Sequence, residues 1–155
     1  MREHRGQLCM WPWQEGNALL AAGDLALCKI KYEKTFHNLE GLRGLDDNDF
    51  DRVRVLKTAV ALNLAAALQR GGEHVAAEAR LRKVLDDDPD NVKALWRRSV
   101  SELATHEYAA AREDLRRVAE LDPTLGREVE AQLRRVRATE EENLGKEKRR
   151  MGGII

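Results

Sequence analysis

The sequence predicts an all-α fold built from repeated helix pairs, and three observations carry that expectation. The composition is helix-forming: Ala, Leu, Glu and Arg dominate, while aromatics make up 5% and only three residues are proline. Apolar residues recur at spacings of three and four along most of the chain. Most specifically, residues 73–89 match residues 107–123 at an offset of 34 (107 − 73), with Glu73/Glu107, Ala76/Ala110, Ala77/Ala111, Leu81/Leu115, Arg82/Arg116, Val84/Val118, Asp88/Asp122 and Pro89/Pro123 identical. That period describes a helix–turn–helix unit in which small residues let paired helices approach and a proline closes the unit.

The elements follow in order. Met10 to Ala22 reads as one helix, stopped by Gly23. Asp24 can cap a second, to about Leu39, and the Gly- and Asp-rich stretch Glu40 to Asn48 reads as a loop. Segment 49–70 is a third helix, with Val53, Leu56, Val60, Leu64 and Ala67 on one side and Gly71-Gly72 as its stop. Segment 74–86 is a fourth, carrying Val75, Ala79, Leu81 and Leu85. Asp90 can cap a fifth, from Asn91 to Ala104, and a sixth at about 107–121 repeats the fourth. Asp122 then caps, Pro123 opens the seventh, and its stripe is Leu125, Val129, Leu133 and Val136, to roughly Arg150. Seven helices make three pairs and a solvated end helix.

Bulk properties narrow the function. Lys+Arg and Asp+Glu both number 27, so the formal net charge is zero, which argues against a nucleic-acid binder. The apolar run from Thr58 to Leu68 is interrupted by Asn63 and too short to span a bilayer. The charged start, Met1 to Arg5, is followed by no apolar signal segment. Cys9 and Cys28 form neither a C-x-x-C pair nor a disulfide framework. The expectation is a soluble, cytoplasmic protein of one domain with no membrane partner.

The repeat resembles the tetratricopeptide repeat (TPR) family over about residues 9–150. The small position of each first helix falls at Gly16, Ala65 and Ser99, the small position of each second helix at Cys28, Ala77 and Ala111, and the large position four later at Tyr32, Leu81 and Leu115. Pro89 and Pro123 close two units. The resemblance implies three TPRs and a long seventh helix in a right-handed α-solenoid. The expected limits are a tail at 1–8, a repeat domain at 9–123 (repeats about 9–39, 58–89 and 92–123, with an insertion at about 40–54), a capping helix at 124–150 and a tail at 151–155.

A narrower resemblance is to the TPR domains of cytosolic co-chaperones, which hold the C-terminal Glu-Glu-Val-Asp tail of heat-shock chaperones of the 90-kDa or 70-kDa class by a two-carboxylate clamp of Lys, Asn, Asn, Lys and Arg. Gly16-Asn17 matches the first Asn, Leu62-Asn63-Leu64-Ala65 the second, and Lys93 with Arg97 the Lys-x-x-x-Arg of the third unit. The remaining Lys position is occupied by Trp13. The resemblance thus implies a partial clamp on one concave wall, with Asn17, Asn63, Lys93 and Arg97 as donors and Trp13 and Trp96 as further peptide contacts. Charged donors suit such a ligand because they bind carboxylates more strongly than neutral donors do.

The insertion, the Leu-Asn-Leu-Ala segment and the charged last helix also resemble immunophilin-type (FKBP-like) and aryl-hydrocarbon-receptor-interacting co-chaperones. Two alternatives stand beside that reading: a TPR scaffold with a different protein ligand, or the TPR fragment of a peptidyl-prolyl isomerase, whose catalytic domain the few residues before the first helix cannot hold.

No catalytic or cofactor chemistry is expected. His4, His37, His74 and His106 are never three or four apart, so no helical metal pair exists. No G-x-S-x-G, phosphate loop or His-Glu-x-x-His occurs, and Asp86-Asp87-Asp88 with Asp90 is not spaced as an EF-hand. From Arg127 to Arg150 the last helix holds eight basic and six acidic residues; a calmodulin-type partner there is the lesser reading beside a solvated cap.

Overall fold

The computed structural model describes the backbone of residues 3–153 and the side chains of residues 12–153. The described residues form only helices: α1 (Glu3–Ala22), α2 (Leu25–Glu40), α3 (Asp47–Arg70), α4 (His74–Asp87), α5 (Val92–Ala104), α6 (Tyr108–Leu121), a 3₁₀ turn (Pro123–Leu125) and α7 (Gly126–Gly152). They group into two compact units, Met1–Asp87 and Asp88–Ile155. Within unit 1, α1 packs on α2, α2 on α3 and α3 on α4; within unit 2, α5 packs on α6 and α6 on α7.

The repeat positions make the core of both units. Cys28, Ala77 and Ala111 are fully buried, as are Tyr32, Leu81 and Leu115, and Ala65 and Ser99. Thr35, Val84 and Val118, one turn further along the second helices, are buried with them. Gly16 is buried because a Cβ there would lie 2.7 Å from Tyr32 Cε1, so only glycine lets α1 approach α2 this closely. Burial also pushes the Cys28 thiol up from its ordinary pKa.

The three helical hairpins turn in the same way. Gly23 and Gly72 take φ of +82° and +78°, and His106, the counterpart of Gly72 at the 34-residue offset, takes +68°. A non-glycine residue in that left-handed region is uncommon, though His is one of the types that enters it. Its ring is held: His106 Nδ1 lies 2.9 Å from Tyr108 Oη and 3.0 Å from Asn143 Nδ2 on α7.

Several expected boundaries and faces differ. α1 starts at Glu3, not near Met10, so the expected tail at 1–8 is largely helical, and the helix runs through Pro12. α3 starts at Asp47, capped by Asp46, whose carboxylate accepts from Asp49 N at 2.9 Å; the insertion is therefore a short loop followed by extra turns of helix. Asp90 does not cap α5. Asn91 immediately precedes the helix and its Oδ1 accepts from Ala94 N at 3.0 Å, while Asp90, one residue too early, accepts from Arg117 Nη2 at 2.7 Å. That pairing with Asp90 and Glu120 raises the Arg117 pKa further. Pro123 opens a single 3₁₀ turn and not α7 itself, with Asp122 Oδ1 accepting from Thr124 N at 3.1 Å. On α4, Val75 and Ala79 are exposed: the inward face is the Ala77–Leu81–Val84 stripe, and residues two before or after its members turn about 200° away.

Candidate functional site

In unit 1 the site is built on the facing sides of α1 and α3. Asn17 directly follows Gly16, so the close approach that glycine permits carries Asn17 to the Tyr32 hydroxyl. Tyr32 Oη donates to Asn17 Oδ1 at 2.6 Å, and Asn63 Nδ2 of α3 donates to the same oxygen at 2.9 Å. Both acceptor positions of that carbonyl are thereby used. The Asn17 carboxamide is fixed in one orientation, and its Nδ2 is left to face away from the pair. Asn17 and Asn63 are both half-buried. Two of the expected clamp amides, 46 residues apart in sequence, thus meet in one hydrogen-bonded cluster.

Trp13 lies one turn before Asn17 on the same side of α1. The residue is half-buried, and its indole Nε1 is buried with no hydrogen-bond partner among the described residues. Among the described residues of unit 1, Lys31 pairs with Glu15, Lys29 with Glu73, and Arg70 Nη1 donates to the Leu20 carbonyl at 2.6 Å.

In unit 2, Lys93 and Arg97 sit one turn apart on α5, Lys93 exposed and Arg97 half-buried, while Ala94 and Leu95 face the core. Arg98 is held by acidic groups. Its Nε and Nη2 donate to buried Asp114 at 2.7 and 2.6 Å, and Glu102 Oε1 lies 3.5 Å from it. Trp96 is half-buried, and its carbonyl accepts from Ser99 Oγ at 2.7 Å.

The structure therefore brings Asn17 and Asn63 together in unit 1, and sets Lys93 and Arg97 on one face of α5 in unit 2. Two contributors escaped the sequence reading. Tyr32, expected only as a large packing residue, orients Asn17; a phenol at a position held by Leu81 and Leu115 in the other repeats was the available signal. The Arg98–Asp114 pair was also missed. Its counterpart at the repeat offsets is Glu15–Lys31, an ion pair at the same two positions with the charges exchanged. Among the described residues no group of three His, Cys, Asp or Glu could hold a metal ion, and no helix is long and apolar enough to cross a membrane.

No family model matches the chain. Among curated proteins it is 32% identical over 107 residues to the peptidyl-prolyl cis-trans isomerase PASTICCINO1 of Arabidopsis thaliana, covering 69% of this chain and 17% of that protein. It is 29% identical over 111 residues to the peptidyl-prolyl cis-trans isomerase FKBP4 of Bos taurus, covering 72% of this chain and 24% of that one. The chain thus spans less than a quarter of the length of these relatives. Among solved structures, the C-terminal TPR-containing domain of a putative FK506-binding protein of Plasmodium falciparum superposes with a TM-score of 0.72 at 23% identity, covering 98% of this chain and 96% of that domain. The first TPR of Spaghetti (RPAP3), bound to the HSP90 peptide SRMEEVD, superposes with a TM-score of 0.69 at 21% identity, covering 85% and 92%. Buried repeat positions, paired helices and these likenesses agree, and the chain is a tetratricopeptide-repeat domain similar to that of FK506-binding immunophilins.

Proposed function

We propose that the chain is a cytoplasmic, non-catalytic module that binds the acidic C-terminal tail of a heat-shock chaperone through a partial carboxylate clamp. The observation that carries this reading is the Asn63–Asn17 hydrogen bond. It joins the two amides that the resemblance assigns to ligand binding, on helices far apart in sequence. A polar residue within Val60-Ala61-Leu62-Asn63-Leu64-Ala65 costs stability unless it has a partner or a task. The likeness to a TPR solved with an HSP90 peptide supports the same ligand class.

In this reading Asn17 and Asn63 contact the peptide as neutral donors, Lys93 and Arg97 supply the positive charge for its carboxylates, and Trp13 and Trp96 add apolar contact. Lys93 is the most informative position, because it is exposed and, among the described residues, has no ion-pair partner. Calorimetric titration of the peptide Ser-Arg-Met-Glu-Glu-Val-Asp into the full chain tests the proposal. Saturable one-to-one binding that weakens with salt is expected, with Lys93→Ala reducing affinity about tenfold through the loss of one charge-assisted hydrogen bond. Equal affinity of wild type and Lys93→Ala would remove Lys93 from the site, and no binding at all would remove the proposal.

A further inference from the structure

We infer that unit 1 carries a second binding site, a narrow cleft between α2, α3 and α4 that takes a phosphate group. Lys57 and Thr58 of α3, Arg80, Lys83 and Asp87 of α4 and the Phe36 ring of α2 line it. It lies apart from the paired amides: Ala61 belongs to the cleft wall, and Asn63, two residues on, points about 200° away around α3.

The cations of this cleft are not demanded by the fold. At the 34-residue offset Lys57, Thr58, Arg80, Lys83 and Asp87 correspond to Asn91, Val92, Asp114, Arg117 and Leu121. Core positions keep their character across that offset, as buried Val84 and Val118 do, whereas only one of the three cations recurs. That one, Arg117, is bonded to Asp90 and Glu120. Its counterpart Lys83 has Leu56 in place of Asp90. Asp86 and Asp87 follow Lys83 on α4, yet among the described residues neither Lys83 nor Lys57 has an ion-pair partner. Arg80 is fixed in place. Glu33 pairs with its Nη2, and its Cζ stands 5.9 Å from the centre of the Phe36 ring. A guanidinium has five N–H donors, so this pairing leaves most of them for a ligand.

Size and donor chemistry define the ligand. The cleft measures about 50 Å³, room for about four water-sized atoms, which admits a phosphoryl group and excludes a nucleobase or a sugar ring. Glu33 and Asp87 reduce the net charge of the group to +1 (three cations less two carboxylates), so bulk charge does not select the ligand. Several charge-assisted donors lining one narrow space do, and they favour an anion with several acceptor oxygens on one atom. A phosphate monoester brings three such oxygens and nearly two negative charges at neutral pH. The two lysines and Arg80 match them, and the half-buried Thr58 hydroxyl adds a neutral donor. A carboxylate, with one charge and two oxygens, uses only part of that set.

The test is an amide NMR titration of the full chain at constant ionic strength with inorganic phosphate, with the capped peptide Gly-phosphoserine-Gly and with capped Gly-Ser-Gly. Saturable shifts at the amides of Thr58, Ala61 and Val84 are expected with both phosphates and not with Gly-Ser-Gly. Tighter binding of the phosphopeptide assigns the site to a phosphorylated side chain, and equal affinity assigns it to the free anion. Lys57→Gln/Lys83→Gln, shown to be folded by circular dichroism, should bind either phosphate about tenfold more weakly or worse, and should titrate Ser-Arg-Met-Glu-Glu-Val-Asp as wild type does. Shifts that do not saturate or that scatter over surface lysines, or wild-type phosphate affinity in the double variant, would overturn the inference and leave the proposed tail binding standing. Loss of tail binding in the double variant would overturn it as well, since one basic surface would then serve both ligands.

Discussion

Gly16, Asn17 and Tyr32 show how one missing side chain can set a polar site. Without a Cβ at residue 16, the Tyr32 ring packs against the α1 backbone and its hydroxyl reaches Asn17 at 2.6 Å. Gly16→Ala would place a methyl 2.7 and 2.9 Å from two ring carbons, closer than atoms tolerate, and Tyr32 is fully buried with no room to retreat. Overpacking of this kind costs about 1–3 kcal/mol. Urea denaturation should therefore show a lower midpoint for Gly16→Ala, although Ala is the better helix former. A higher midpoint would mean that propensity outweighs the contact. The same displacement of Tyr32 should release Asn17, so peptide affinity and stability should fall together in this variant.

At the scale of the element, the connection into α5 shows what a sequence pattern leaves undecided. Asp88-Pro89-Asp90-Asn91 offers several residues able to cap a helix, and nothing in their order says which one the helix will start behind. The structure starts α5 at Val92, which makes Asn91 the cap through its bond to Ala94 N and frees Asp90 for Arg117 of α6. The two roles have different energetics. Asn91→Ala loses a capping bond and should cost about 1 kcal/mol, whereas Asp90→Ala breaks an exposed ion pair and should cost about 0.5 kcal/mol or less. Thermal melts of the two variants rank them directly, and a larger loss for Asp90→Ala would return the cap to that residue. Helix identity was legible here because periodicity is averaged over many residues. The boundary was not, because it turns on one hydrogen bond. The same holds at Pro123, which suits the first turn of either an α-helix or the 3₁₀ turn observed.

Across the whole molecule, the legible part of the fold was the part the repeat states more than once. Ala77/Ala111, Leu81/Leu115 and Val84/Val118 recur in sequence and are buried in both units, because each repeat must bury the same stripe. The candidate site was legible only by resemblance. Asn17, Asn63, Lys93 and Arg97 do not recur from repeat to repeat, and the Tyr32 bond that orients Asn17 has no counterpart in the other repeats, where Leu81 and Leu115 stand. The end helix follows the same division between repeated and unrepeated features. α7 packs on α6 with Val129 and Val136 buried and Glu140 paired to Arg112, but from Leu144 to Gly153 nearly every residue is exposed. Even the ion pair there, Lys146 with Glu142, lies at the surface, where Lys146 lowers the Glu142 pKa. The stabilising part of α7 is therefore its first half. Deleting residues 126–155 removes two buried valines, worth about 3 kcal/mol or more together, and should lower the melting temperature by about 10 °C. Deleting only residues 144–155 should leave it nearly unchanged. Equal losses from the two deletions, read by circular dichroism, would show that the distal half packs on something its exposure does not reveal.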